Sequence, residues 1–254
     1  IRFDGLNLSW EVLEGLIKHN GPLTGPHTAS VEGVPKPVLE YCKLDDLELH
    51  TFSGIEAQCA AISDDIAYNS ADLDDGLRAG LFALDDLKNV GLVDELLADI
   101  DAQYPDLNPD RRSAELVRRV VTVLVEDVIF ESRRRIAETN PSSVEAVRAC
   151  GRQLVEFSKP MEAKLNSLRQ FLFNHMYRHP KVMSVMSKAE NLVHRLFDLY
   201  EAEPLEMGEG WQDLIIQTDE KQLKRHVCDY ISGMTDDFAI REGRRLFDDA
   251  PDLL

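Results

Sequence analysis

Nearly every long segment of the chain repeats its apolar residues at intervals of three and four, the period of a helix with one buried face. The first such run is Trp10, Leu13, Leu16 and Ile17, opened by Ser9 as cap and stopped at His19-Asn20-Gly21-Pro22. Residues 21–50 lose the period, are rich in Gly and Pro, and read as a long loop with only a brief alternation at Leu47, Leu49 and Thr51. Ser53 and Glu56 have the spacing of a capping box and predict a helix over about 54–75, followed by two short helices between Leu81 and Asp101. Asn108-Pro109, a cap with proline at the first helical position, opens a long helix through Leu116, Val120, Val123, Leu124, Val128 and Ile129 to about Thr139. Ser142 with Glu145 opens a shorter helix toward Leu154. Met161, Leu165, Leu168, Leu172 and Met176 mark a helix over 160–178, and Pro180 breaks it before another through Val193, Leu196 and Leu199. A last helix over 219–247, kinked at Ser232-Gly233, closes the pattern. The fold class is therefore all-α: a single helical domain over 1–254, with a site helix near 54–75 and a C-terminal helical region over about 108–254.

Composition narrows the function classes. With 254 residues and 44% hydrophobic content the chain can bury a sizeable core. No apolar run approaches the roughly 18 residues of a membrane span, and no leader pattern opens the chain, so no membrane partner and a cytoplasmic location are expected. Cys42, Cys59, Cys150 and Cys228 are scattered without C-x-x-C spacing and read as small reduced core residues. Acidic residues outnumber basic ones 46 to 28, a formal charge of −18 that repels double-stranded nucleic acid. A small polyanion would need a metal ion and a local cluster of Lys and Arg to overcome that field.

One segment stands out chemically. Asp64, Tyr68 and Asp72 are four residues apart in the predicted site helix, so two carboxylates and a phenol share one face. On the inner side of a helix, two unpaired carboxylates are expensive, and a divalent cation or a ligand hydroxyl is the usual compensation. The competing reading is that Asp64, Asp65, Asp72, Asp74 and Asp75 form a solvated acidic face. An EF-hand is excluded, because with Gly76 as the loop glycine the first ligand position falls on Ala71 and the bidentate position on Phe82. Arg169, Tyr177, Arg178, His179 and Lys181 form the densest cluster of cations and aromatics, read either as a ligand surface or as cations favoured by a helix C-terminus.

Several phrases coincide in order: Gly5-Leu6-Asn7-Leu8-Ser9-Trp10-Glu11, Lys18-His19-Asn20-Gly21-Pro22, Glu56-Ala57-Gln58, the run from Asp64 to Gly80, Tyr177-Arg178-His179-Pro180, and Asp229-Tyr230-Ile231-Ser232-Gly233-Met234-Thr235-Asp236. Through them the chain resembles the bacterial dGTPase-like deoxynucleoside triphosphate triphosphohydrolases of the HD superfamily, over essentially its whole length. The resemblance implies an all-helical, metal-dependent phosphohydrolase that releases deoxynucleoside and tripolyphosphate, with Mg or Mn as cofactor, a dNTP as substrate and a homo-oligomeric assembly. It implies Asp64 as a metal ligand, Tyr68 and Asp72 as readers of the deoxyribose and its 3′-hydroxyl, Arg169 and Lys18 as phosphate contacts and Tyr177 as a base contact.

The chain also departs from the pattern. None of its seven histidines is followed by Asp, so the family's catalytic His and remaining metal ligands are not in this chain. The family carries them upstream of the Gly-Leu-Asn-Leu phrase, and the expectation is that these residues form the C-terminal portion of a longer protein. Ala71, Asp237 and Gly243 stand where relatives often carry His, a basic residue and His. Two functions follow: a metal-dependent dNTP triphosphohydrolase or, given the missing His-Asp pair, a catalytically silent nucleotide-binding regulatory or assembly module of the same fold.

Overall fold

The computed structural model describes residues 6–28, 33–215 and 219–247, which leaves Gly5, first residue of the Gly5 to Glu11 phrase, outside it. Every regular element among the described residues is helical, and the alternation at Leu47, Leu49 and Thr51 forms no strand. Contacts divide the chain into two compact units, Ile1–Met176 and Tyr177–Leu254, where the sequence predicts one domain.

The first unit holds α1 (Trp10–Lys18), α2 (Lys36–Tyr41), α3 (Ile55–Arg78), α4 (Gly91–Gln103), α5 (Pro109–Thr139), α6 (Val144–Arg148) and α7 (Lys159–Leu172). The short α2, with proline in its first turn, interrupts the expected loop. Between the site helix α3 and α4, the first expected short helix is a single 3₁₀ turn, Leu84–Leu87. Asn108 caps α5 by accepting from the Arg111 amide at 2.9 Å, and the helix ends at Asn140 in the left-handed region at φ 46°.

Two expected capping boxes fail. The site helix starts behind Gly54, not Ser53, whose buried hydroxyl has no partner. The cap of α6 is Ser143 rather than Ser142, and that helix stops at Arg148 because Gly151 turns the chain at φ 74°. The helix over 160–178 also changes form, because α7 gives way to a π-helical turn, Phe173–Tyr177.

Packing centres on α5, which meets α3 and α4, while α7 meets α3 and α4 as well. Leu116, Val120 and Leu124 of α5, Leu73 of α3, Ile100 of α4 and Leu165 and Leu168 of α7 are fully buried. Asp127 joins α5 to α7: its carboxylate accepts from the Ser158 hydroxyl at 2.6 Å and the Ser158 amide at 2.8 Å. Helix α1 lies close against α3, where a Cβ on Gly15 would stand 3.0 Å from the Ala57 Cβ.

The second unit comprises α8 (Pro180–Ala202), α9 (Glu209–Ile215), α10 (Glu220–Ser232) and α11 (Asp236–Leu246). What the sequence reads as a kink at Ser232-Gly233 is a break between two helices, with Thr235 capping α11. Leu192, Leu196, Tyr200, Met207, Val227 and Ile240 form the core. Gly243 has a packing reason, because a Cβ there would meet Leu192 Cδ1 at 2.6 Å, leaving no room for an imidazole.

Two further expectations change. The cysteines are free but not core residues, since Cys59 and Cys228 are exposed and Cys42 and Cys150 half-buried. Among the described residues, no helix is long and apolar enough to cross a membrane.

The strongest long-range tie in the first unit is ionic. Glu14, 1% exposed, accepts from Arg148 of α6 at 2.8 and 2.9 Å and lies 3.0 Å from the Lys18 ammonium. Burial pushes the Glu14 carboxyl up, but hydrogen bonds from Arg148 and Lys18 outweigh it and hold the group below its ordinary value. Burial likewise pushes the Lys18 ammonium down, ahead of the support it receives from Glu14. One carboxylate shared by two cations accounts for both directions.

Glu14→Gln is therefore expected to destabilise the protein by about 3 kcal/mol near neutral pH, since it leaves two buried cations without their anion. Because the folded-state carboxyl is lowered from 4.5, its contribution is present above that value and lost as pH falls. Urea denaturation of wild type and variant should give a gap that narrows toward acid; a gap independent of pH contradicts the assignment.

Candidate functional site

Helix α3 carries two polar stripes side by side. One is Asp64, Tyr68 and Asp72; the other, one position round the helix, is Gln58, Asp65 and Asn69. The second stripe is the inner one: Gln58 and Asn69 are 1% and 3% exposed. The side-chain amides there need internal partners, and both Gln58 and Asn69 donate to one.

Gln58 sits at a junction of three chain segments. Its amide nitrogen donates to the Ser53 carbonyl at 2.8 Å, and its Oε1 accepts from the amides of Leu154 at 2.8 Å and Val155 at 3.1 Å. The loop after α6 is thereby fixed beside the site helix. Farther along, Asn69 Nδ2 donates to the Asp65 carbonyl at 2.6 Å and to Asp65 Oδ1 at 2.9 Å. The other Asp65 oxygen accepts from Arg169 Nη2 of α7. Arg169 is further held by Glu162 at 2.8 Å and Asn166 at 3.0 Å.

These tethers shape a pocket of about 400 Å³. Asp64, Asp65 and Tyr68 line it from α3, His19 and Asn20 from the end of α1, and Gln153, Val155 and Glu156 from the loop that Gln58 holds. The loop has a second anchor, because Arg135 of α5 pairs with Glu156 and donates to the Gln153 carbonyl at 3.1 Å. His19 binds the Leu16 carbonyl through Nδ1 at 3.1 Å and the Asn20 side-chain amide at 3.0 Å, which assigns the Nδ1–H tautomer to the ring.

Of the three pocket carboxylates, Glu156 and Asp65 have guanidinium partners. Asp64 has no hydrogen-bond or ion-pair partner among the described residues, and it is exposed. Tyr68 is 59% exposed, and its hydroxyl is equally unengaged. The stripe thus lies on the open side of α3, not on the inner side the sequence suggests. Exposed Ala60, Ala67 and Ala71 flank it, a slim surface that lets a ligand or another backbone come close.

The remaining expected residues are distributed differently. Asp72 is half-buried and does not line the pocket. Lys18 corrects the sequence reading outright, for it is fully buried, with its ammonium on Glu14, the Glu48 carbonyl at 3.1 Å and the Thr51 hydroxyl at 2.8 Å. No donor of Lys18 is left for a phosphate. Tyr177 ends the π-helical turn and begins the second unit, half-buried.

Sequence reasoning assigned no role to Gln58, Asp65, Gln153, Glu156, His19 or Asn20. A signal existed for two of them, since Gln58 and Asp65 fall on one helical face with Asn69. Gln153 and Glu156 are brought in by side-chain tethers across the fold, which periodicity does not record.

A second opening of about 420 Å³, largely apolar, runs between α1 and α3, lined by Val12, Gly15, Leu16, Ala57, Ala60 and Ala61. Asp64 and His19 border both openings.

Comparison with known proteins agrees with this architecture. Residues 155–245 match the family model of the phosphohydrolase-associated domain. Over 99% of its length the chain is 49% identical to the deoxyguanosinetriphosphate triphosphohydrolase-like protein 1 of Mesorhizobium japonicum, 51% identical to such a protein of Brucella anthropi and 46% identical to one of Rhizobium etli. It spans 62%, 63% and 62% of the length of these relatives, respectively.

The tether carried by Gln58 has a measurable consequence. Gln58→Leu keeps the volume but leaves the Leu154 and Val155 amides and the Ser53 carbonyl unpaired, at about 1–3 kcal/mol for each group that stays buried. Denaturant midpoints should fall accordingly, and hydrogen exchange should accelerate at the Leu154 and Val155 amides ahead of the α5 core. Unchanged protection at those two amides would count against the tether.

Proposed function

The chain belongs, over the stretch it spans, to the family of deoxyguanosinetriphosphate triphosphohydrolase-like proteins, and on that premise we propose that the complete protein hydrolyses deoxynucleoside triphosphates, dGTP among them. The products in this reading are deoxynucleoside and tripolyphosphate. One observation carries it: Asp64, in the pocket wall and without a partner among the described residues, shares an alanine-lined face with a tyrosine hydroxyl that likewise has none among them.

The residues present do not complete a metal site. Among the described residues, no group of three or more His, Cys, Asp or Glu could hold an ion. Asp64 fits Mg²⁺ or Mn²⁺ as one hard oxygen ligand, with the others drawn from outside these residues. When bound, such an ion polarises a phosphoryl oxygen and acidifies a water.

The chain's own residues carry the other tasks. Tyr68, one turn from Asp64, offers a hydroxyl that both donates and accepts, and Asp72, about 12 Å along the axis from Asp64, offers a carboxylate. Together they suit one sugar hydroxyl, the 3′-OH of a deoxyribose. Arg169 supplies a guanidinium for phosphate and Tyr177 a ring for the base. Cytoplasmic location and homo-oligomeric assembly belong to the same reading.

A catalytically silent nucleotide-binding module is the second reading, favoured by the lack of any His-Asp pair in the 254 residues. Turnover separates the two. The complete protein with Mg²⁺ or Mn²⁺ should convert dGTP to deoxyguanosine and tripolyphosphate in equal amounts, and Asp64→Ala should lose bound metal and turnover with little loss of fold, its metal-free Tm staying close to that of metal-free wild type. Release of diphosphate, or metal retained at the wild-type level in the variant, contradicts the mechanism.

Asp72→Ala should keep its metal yet lose about 1–3 kcal/mol in kcat/KM for dGTP, because the substrate hydroxyl is left unpaired. Wild type should discriminate against 2′,3′-dideoxy-GTP by a similar factor. If wild type and variant treat the two nucleotides alike, Asp72 does not read the sugar.

A further inference from the structure

We infer that Asp65 is a positioning residue, whose carboxylate ties Arg169 to the site helix and leaves one edge of the guanidinium open for a polyphosphate. The inference rests on the reading of the pocket as a triphosphate site and deepens it, since nothing in that reading gives Asp65 a role.

Asp65 is itself rigidly held. One oxygen accepts from Asn69, which is 3% exposed and also binds the Asp65 carbonyl, so the carboxylate has a fixed rotamer on the pocket wall. Its second oxygen is the acceptor for Arg169 Nη2. The other two acceptors around Arg169, Glu162 and Asn166, lie on its own helix, seven and three residues back. They can orient the guanidinium along α7 but cannot draw it toward α3. Asp65 alone among these acceptors does that.

The donor count supports the same conclusion. A guanidinium has five N–H donors. Nη1 donates to Glu162 and Asn166, and Nη2 donates to Asp65. No described residue accepts from Nε–H, so the guanidinium keeps a donor for a phosphate oxygen on that side. A carboxylate in the wall of a polyanion pocket is unfavourable by charge alone, and in a chain of net charge −18 it adds to an adverse field. The positioning role accounts for its presence, and it predicts an effect of opposite sign to simple electrostatics.

The test is calorimetric titration of the complete protein with tripolyphosphate in Mg²⁺ buffer, a probe that requires no turnover. Removing a negative charge should tighten polyanion binding if charge alone matters. Asp65→Ala is instead expected to weaken it about tenfold, the equivalent of one charge-assisted contact. In an Arg169→Ala background the same substitution should weaken it no further, and Asp65→Asn, which keeps an acceptor of the same size, should fall between wild type and Asp65→Ala. Should Asp65→Ala fail to fold, Asp65→Asn runs through the same cycle. Binding unchanged or tighter in the variants, or a loss that persists without Arg169, overturns the inference. Dependence of turnover gives the second readout: KM for dGTP should rise in Asp65→Asn with metal content intact. A wild type that binds neither tripolyphosphate nor dGTP overturns the triphosphate reading itself, and this inference with it.

Discussion

A single buried carboxylate sets the terms for much of the first unit. Glu14 lies inside with Arg148 and Lys18 around it, and Trp10 completes the cluster, its ring 4.6 Å from the Arg148 guanidinium and its indole N–H on the Asp46 carbonyl at 2.9 Å. A charge this deep is tolerable only with partners in good geometry, so α1, the segment over 46–51 and α6 must assemble together or not at all. Their assembly has two consequences for the pocket. It brings His19 and Asn20, directly after Lys18, to one wall, and it delivers the chain after Arg148 to the other, where Gln58 and Arg135 take hold of it.

The same cluster explains why Lys18 misled sequence reasoning. A lysine at the end of an amphipathic helix, followed by His-Asn-Gly-Pro, suggests a cation at a loop edge. What decides its fate is Glu14 one turn back, with which it can pair, and Arg148, which is 134 positions away from Glu14 and invisible to any local pattern. Asp64 and Tyr68 were legible for the opposite reason. Their relation is a helical spacing, and spacing is what a sequence records. The structure differs on the direction of the stripe, because the burial of α3 is set by α5 and α7 on the side of Leu73 and Asn69.

Legibility of the fold follows the same division. Elements fixed by local chemistry were read correctly: Asn108-Pro109 opens α5, and Pro180 opens α8. Ser53-Glu56 and Ser142-Glu145 have capping-box spacing, yet tertiary demands won at both. Ser53 is drawn inside so that its carbonyl can serve Gln58, and the helix starts one residue later. At the other site Ser143 takes the cap, and a positive φ at Gly151 releases the chain to meet Gln58. The division into two units, and the end of α7 in a π-helical turn, leave no trace in apolar periodicity, since Met176 continues the spacing of Leu165, Leu168 and Leu172 without a gap.

Charge ties these points to function. The cations that tie together the segments around the pocket are already engaged: Arg135 with Glu131 and Glu156, Arg148 and Lys18 with Glu14, Arg169 with Asp65 and Glu162. A polyphosphate entering here meets no idle lysine. Its charge has to be balanced by the open edge of Arg169, by a metal ion at Asp64, or by groups outside these residues, and in the proposed reading all three act together. Under the proposed reading, that requirement would make the pocket selective. In that reading, an anion without a divalent cation meets three pocket carboxylates, whereas a metal-bound triphosphate would present Asp64 with a cation and Arg169 with oxygens. An acidic chain can in this way host a strongly anionic substrate without becoming a general binder of nucleic acid.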